Sequence, residues 1–242
     1  MSWIPAKRFW KVVQVQAADG GFTILLDDRP LRTPGRRPVV LPSAALAELI
    51  AAEWDAVEGE IRPETLPFTR MANTAIDRVP VQRAAVVEAV AAYGASDLLC
   101  YRAGAPEALA RRQSADWDPW LGWARHVFGA PLVAVVGIMP VPQPPHSLAA
   151  LRQAVEGFDD LALSALGELV TLSGSLVLGL AVAHGAIPAE TAWELSRLDE
   201  AWQAEQWGSD AEAEAAAARK WADFLRAAAF LDLVTGSERP AG

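Results

Sequence analysis

The hydrophobic pattern of this chain changes period once, and that change limits its fold more than any other feature. Over the first forty residues apolar side chains partly alternate and turn residues recur every few positions; after Ser43 apolar residues repeat at helical spacing. Trp10 to Gln16 is rich in β-branched residues, Asp19-Gly20-Gly21 supplies a hairpin turn, and Phe22 to Leu26 returns. Asp27-Asp28-Arg29-Pro30 and Pro34-Gly35 are two further turns, around a short strand at Leu31 to Thr33, and Val39 to Leu41 closes a small antiparallel sheet.

The rest reads as helices. Ser43 is an N-cap for a helix carrying Leu46, Leu49, Ile50 and Trp54 on one stripe. A short helix runs through Met71 and Ile76, and another through Val81 to Tyr93. Leu98 to Tyr101 is apolar and extended, and a longer helix from Pro106 to Phe128 is interrupted at Asp118-Pro119. Five prolines between Pro131 and Pro145 frame a strand near Leu132 to Val136 and an extended crossover. Further helices are expected over Ser147–Glu156, Asp159–Ala183, Pro188–Gln206 and Asp210–Leu233, with a tail that frays from Thr235. The fold class is therefore α+β: a small antiparallel β-rich N-terminal lobe, residues 1–79, followed by a larger all-helical lobe, residues 80–242.

With 242 residues the chain should bury roughly 70–75% of the surface it exposes when unfolded, so its core needs no disulfide or metal. Its single cysteine, Cys100, cannot form an internal disulfide and suits a reducing compartment. Net charge is −9, which opposes binding to nucleic-acid phosphates or to an anionic membrane surface. The charge is also polarised. Residues 1–37 hold seven bases and three acids, and residues 190–223 hold nine acids and three bases. Such a dipole can pair internally or offer one end to a partner. Leu161 to Ala183 is apolar, but Glu168 shortens it below the ~20 residues of a spanning helix, so a core helix without membrane insertion is expected. The first residues lack the apolar run of a secretory signal and the long basic leader of a transit peptide, which predicts a cytoplasmic protein.

Catalytic patterns are missing. None of Lys7, Lys11 and Lys220 follows a phosphate-cradling glycine loop. Ser173-Gly174-Ser175 fails the spacing of a nucleophile elbow and fits close helix packing. His126, His146 and His184 are scattered, with no pair at metal-ligand spacing, so no metal and no cofactor are expected. Cys100 beside Leu98 and Leu99 reads as a buried, inert thiol.

Two polar constellations remain. Arg70, Asn73, Thr74 and Asp77 share one helical face, which is either a hydrogen-bonded network joining the lobes, together with Trp54, or a binding face for a small molecule or substrate between them. The second is Arg197 to Gly208. Leu195, Leu198 and Trp202 form an inward stripe with Asp199 on the opposite side, and Glu200 and Glu205 border the two. Carboxylates beside tryptophans suit protein recognition, since indole supplies anchor area and charge supplies orientation; a plain solvated face is the alternative.

Five motifs stand in one order: Arg8-Phe-Trp-Lys11, Leu26-Asp-Asp-Arg-Pro-Leu-Arg-Thr-Pro34, Ala52-Glu-Trp54, Pro67-Phe-Thr-Arg-Met-Ala-Asn-Thr-Ala-Ile-Asp77, and Asp199 to Gly208. Together they resemble the F1-ATPase α-subunit assembly chaperone family from about Arg8 to Leu233, in the form of a bacterial member. The resemblance implies a two-lobe fold and no enzymatic activity. It implies a chaperone that binds the free F1 α subunit during ATP synthase assembly; the chain itself is expected to be a monomer when free. It also implies that the acidic position important to the family lies among Asp199, Glu200 and Glu205. With Trp202 and Trp207, these are the expected partner-binding residues.

Overall fold

The computed structural model describes residues 7–208 and 210–236, so the start of the chain lies outside the described residues, as do Ser209 and the tail from 237 onward. Strands β1 (Val13–Ala18), β2 (Gly21–Leu26) and β3 (Arg29–Pro30) form an antiparallel sheet in that order, with Val13 opposite Leu26 and Ala18 opposite Gly21. The expected fourth pairing is present as single bridges, Phe22 to Leu41 and Arg32 to Pro38.

Ten α-helices follow among the described residues: α1 (Ala44–Asp55), α2 (Pro67–Asp77), α3 (Val79–Ala91), α4 (Glu107–Phe128), α5 (Pro145–Glu156), α6 (Asp160–Ser173), α7 (Leu176–Ala183), α8 (Ala189–Ser196), α9 (Leu198–Trp207) and α10 (Ala211–Thr235). Tyr101–Arg102 (β4) pairs in parallel with Val135–Val136 (β5), so the expected strand shrinks to two residues, and Leu98–Cys100 is a 3-10 turn, not an extended segment. The α+β class holds.

Three helices differ from expectation. α4 runs unbroken through Pro119. The apolar run from 161 to 183 is two helices, because Gly174 adopts φ +72°, a left-handed value that glycine takes at little cost, and Ser175 recaps the chain by accepting from the Leu178 amide at 3.0 Å. The acidic helix also splits. Arg197 leaves helical geometry at φ −110° and ψ 16°, ending α8 before α9 begins at Leu198. α10 ends at Thr235, and the tail expected to fray from there lies, past Gly236, outside the described residues.

The chain forms two compact units, each assembled from non-consecutive segments: Met1–Arg83 with Asp160–Ala165 and Ala229–Gly242, and Ala84–Asp159 with Leu166–Ala228. In unit 1, α1 packs on β1 and β2, and Leu46, Ala47 and Ile50 of α1 are buried, as are Ile24 and Leu26 of β2. Ser43 caps α1 through the Leu46 amide and donates its hydroxyl to the Leu233 carbonyl at 2.7 Å.

The N-terminal motifs explain themselves as ties within this unit. Arg8 donates to the carbonyls of Asp55 and Val57, placing a cation at the C-terminal end of α1. Trp10 is buried, 5.1 Å from the ring of Trp54. Asp27 accepts from the amides of Lys11 and Val12, and those two bonds hold its carboxyl below the usual range.

Unit 2 is built around α7, whose residues Leu176 to Val182 are all buried, which fits a segment apolar on every side. α4 and α8 pack against it. His184 caps α7 through its backbone, and its ring lies against Trp123, Phe128 and Phe158. Cys100 is buried, and burial pushes its thiol up to about 12, so it is protonated and unreactive at neutral pH.

Asp97 is fully buried and accepts from the Leu99 amide, the Ser175 hydroxyl and the Val177 amide at 2.8–3.1 Å. Its desolvation outweighs these bonds and raises its pKa to about 6. No helix among the described residues is long and apolar enough to cross a membrane.

Candidate functional site

The tryptophan-and-acid surface of unit 2 is carried by α8, α9 and one face of α4. Beneath it runs a buried polar chain. Arg102, on β4, donates to the Gln113 carbonyl and to Asp118 at 2.7 Å, and lies 5.1 Å over the Trp117 ring. Burial presses its guanidinium below the usual range, opposed by the charges of Asp118 and Asp199. Gln113 is 1% exposed; it accepts from the Ala103 amide and donates to Asp199 at 2.7 Å. The Trp117 indole donates to the Leu195 carbonyl at 2.9 Å, which ties the end of α8 to α4.

Asp199 is thus half-buried and bonded to α4, not on a free outer face as the stripe predicted, and it follows the non-helical Arg197 at the start of α9. Leu198 is buried as expected, while Leu195 and Trp202 are half-buried. The other two acids are also engaged. Glu200 pairs with Arg197 at 2.7 Å, and both oxygens of Glu205 accept from Arg112, at 2.8 and 3.0 Å. Arg197 in turn lies 5.8 Å over the Trp193 ring.

Of the three candidate acids, two are ion-paired and Asp199 is hydrogen-bonded to an amide. One large apolar group stands out of the surface: Trp207, the last residue of α9, is 80% exposed. A cleft of about 450 Å³ opens beside the helices, lined by Arg112, Asp116, Trp193, Leu195, Arg197 and Ala201. The structure brings Asp199, Glu200, Trp202, Glu205 and Trp207 onto one short helix. Arg112 and Gln113, their partners on α4, carry no sequence signal that marks them.

The second constellation lies within unit 1. Asp77 accepts from the Thr33 hydroxyl at 2.7 Å and the Gly35 amide at 2.8 Å, so the network joins α2 to the loop after β3. A Cβ on Gly35 would meet the Asp77 carboxylate at 2.6 Å, so only glycine admits this approach. Arg70 and Thr74 are exposed and Asn73 is half-buried. Trp54, expected on the core stripe, is half-buried; its indole donates to Thr69 at 3.1 Å, and Glu53 beside it accepts from Thr69 and from the Phe68 amide. A cleft of about 570 Å³ opens over Trp54, Arg70, Asn73 and Asp77. No group of three or more metal-ligating side chains occurs among the described residues.

Known proteins resemble this arrangement closely. The sequence profile of the ATP12 chaperone protein family matches residues 7–125. The crystal structure of Atp12 from Paracoccus denitrificans superposes with a TM-score of 0.90 at 51% identity, covering 95% of this chain and 98% of that one. A protein from Agrobacterium tumefaciens superposes with a TM-score of 0.88 at 46% identity, over 94% of this chain and 85% of that one. The mitochondrial protein atp12 of Schizosaccharomyces pombe is 25% identical over 218 residues, 84% of this chain and 74% of its own length. At such identity over nearly the full length of both chains, common descent and a common fold follow, and the chain belongs to the ATP12 chaperone family.

Proposed function

We propose that this chaperone serves ATP synthase assembly by holding the free α subunit of F1 before its partner subunit arrives. A subunit without its partner exposes apolar surface that drives self-association. The observation in this molecule that best supports the role is Trp207, an 80% exposed indole at the tip of a helix on which Glu200 and Glu205 are ion-paired. Such an anchor, with oriented charge on the same helix, fits a contact that is made and later surrendered. Release follows when the final partner covers a larger area than the chaperone does. The protein acts as a monomer in the cytoplasm and makes or breaks no covalent bond. Pull-down of purified α subunit by the full chain, with Trp207→Ala as the comparison, tests the contact. Capture that Trp207→Ala weakens several-fold is expected, and equal capture by both proteins would remove Trp207 from the interface.

A further inference from the structure

We infer that unit 1 carries a second recognition element: a groove for an extended acidic segment of polypeptide with interspersed apolar side chains, contributed by the client. The inference rests on the chaperone reading for its occupant, but its physical basis is separate. The cleft of about 570 Å³ over α2 and a neighbouring one of about 480 Å³ share Arg32, Trp54 and Ile61 in their walls, so they adjoin and together line the groove. Its floor is apolar, through Trp54, Ile61 and Leu66, and its far end is Phe9, which is 58% exposed.

The polar groups of the groove have one sign to offer. Arg32, Arg70 and Arg78 line it, and among the described residues the guanidiniums of Arg70 and Arg78 have no ion-pair or hydrogen-bond partner. Asp77 is the acid in the lining, and its two oxygens are already used by Thr33 and Gly35. Asp27 is likewise held by backbone amides, and Asp28 lies beyond Arg29, outside the lining of both clefts. The half-buried Asn73 side chain offers a donor and an acceptor to a backbone laid across it.

A polypeptide fits better than a compact phosphate compound. The amides of Phe68 and Thr69, in the first turn of α2, already donate to Glu53, so the helix N-terminus that commonly cradles a phosphate is occupied. What remains is a long apolar trough edged by guanidiniums, which suits carboxylates spaced along an extended chain.

Fluorescence anisotropy of a labelled peptide of about ten residues alternating Glu and Leu tests the proposal. The full chain should bind it, and binding should weaken steeply between about 50 and 500 mM salt. The double variant Arg70→Glu/Arg78→Glu should bind at least about tenfold more weakly, Arg70→Gln/Arg78→Gln by an intermediate factor, and Arg111→Glu, an exposed arginine of unit 2, as the wild type does. Both pairs of substitutions replace exposed side chains, and matching thermal melts establish that the fold is kept. Absence of binding, equal binding by the double variants, or ATP bound in place of the peptide would overturn the proposal. Light scattering of α subunit in the same preparations separates the two readings. Client protection without peptide binding leaves the chaperone role and removes the groove; peptide binding without protection does the reverse.

Discussion

Glu53 in unit 1 and Asp97 in unit 2 do comparable work in contrasting surroundings. Each is a carboxylate from outside a helix that supplies acceptors to its first turn. Glu53 takes two amides and the hydroxyl of Thr69 at the start of α2, while Asp97 takes the Val177 amide and the Ser175 cap of α7, together with the Leu99 amide. Glu53 is half-buried beside an open cleft, where water can replace a lost bond; Asp97 is wholly buried, where it cannot.

The largest expected effect is therefore at Asp97. Asp97→Ala leaves three buried donors unpaired, partly offset by relief of the buried charge, for a net loss of about 3–4 kcal/mol. Urea unfolding measures this, and a loss near zero would show that the site is wetter than described. Ionisation of the same group sets a pH dependence. The folded pKa, about 6, lies above the ordinary 3.8, so the stability from this group is complete below about pH 4 and is lost as pH rises through 6. The loss approaches about 3 kcal/mol. Relative to Asp97→Asn, which cannot ionise, the wild type should lose stability between about pH 4 and pH 7; parallel curves would contradict the assignment.

Glu53→Ala should cost less, about 1–2 kcal/mol, since it removes a helix cap where water has access. A cost equal to that of Asp97→Ala would erase the contrast between the units. The smallest effect on stability is expected from Glu205→Lys. It breaks an exposed pair with Arg112 worth under about 1 kcal/mol, yet it reverses charge two residues from Trp207, so client capture should fall several-fold while melting barely moves. Unchanged capture would place the contact elsewhere.

Local chemistry made much of this legible in the sequence. The hairpin at Asp19 to Gly21, the Ser43 cap and the polar face of α2 follow from short-range patterns, and the structure contains all three. The breaks at Gly174 and Arg197 were not legible, because apolar periodicity continues across both and only Gly174 carries any local signal. The orientation of Asp199 was lost with the second break. Asp97 had no signal at all: its partners are two residues away at Leu99 and nearly eighty away at Ser175 and Val177, and only the folded chain brings them together. Motif positions such as Arg8, Asp27 and Asp77 hold unit 1 together, so a distinctive sequence motif marked architecture there.

The central claim is that the molecule shields a neighbour's contact surface. Light scattering of refolding F1 α subunit tests it most directly, with the full chain present in stoichiometric excess. Suppressed aggregation, with the α subunit passing into a complex with the β subunit when that partner is added, is the predicted result. Aggregation that proceeds at the same rate with and without the chain would contradict it.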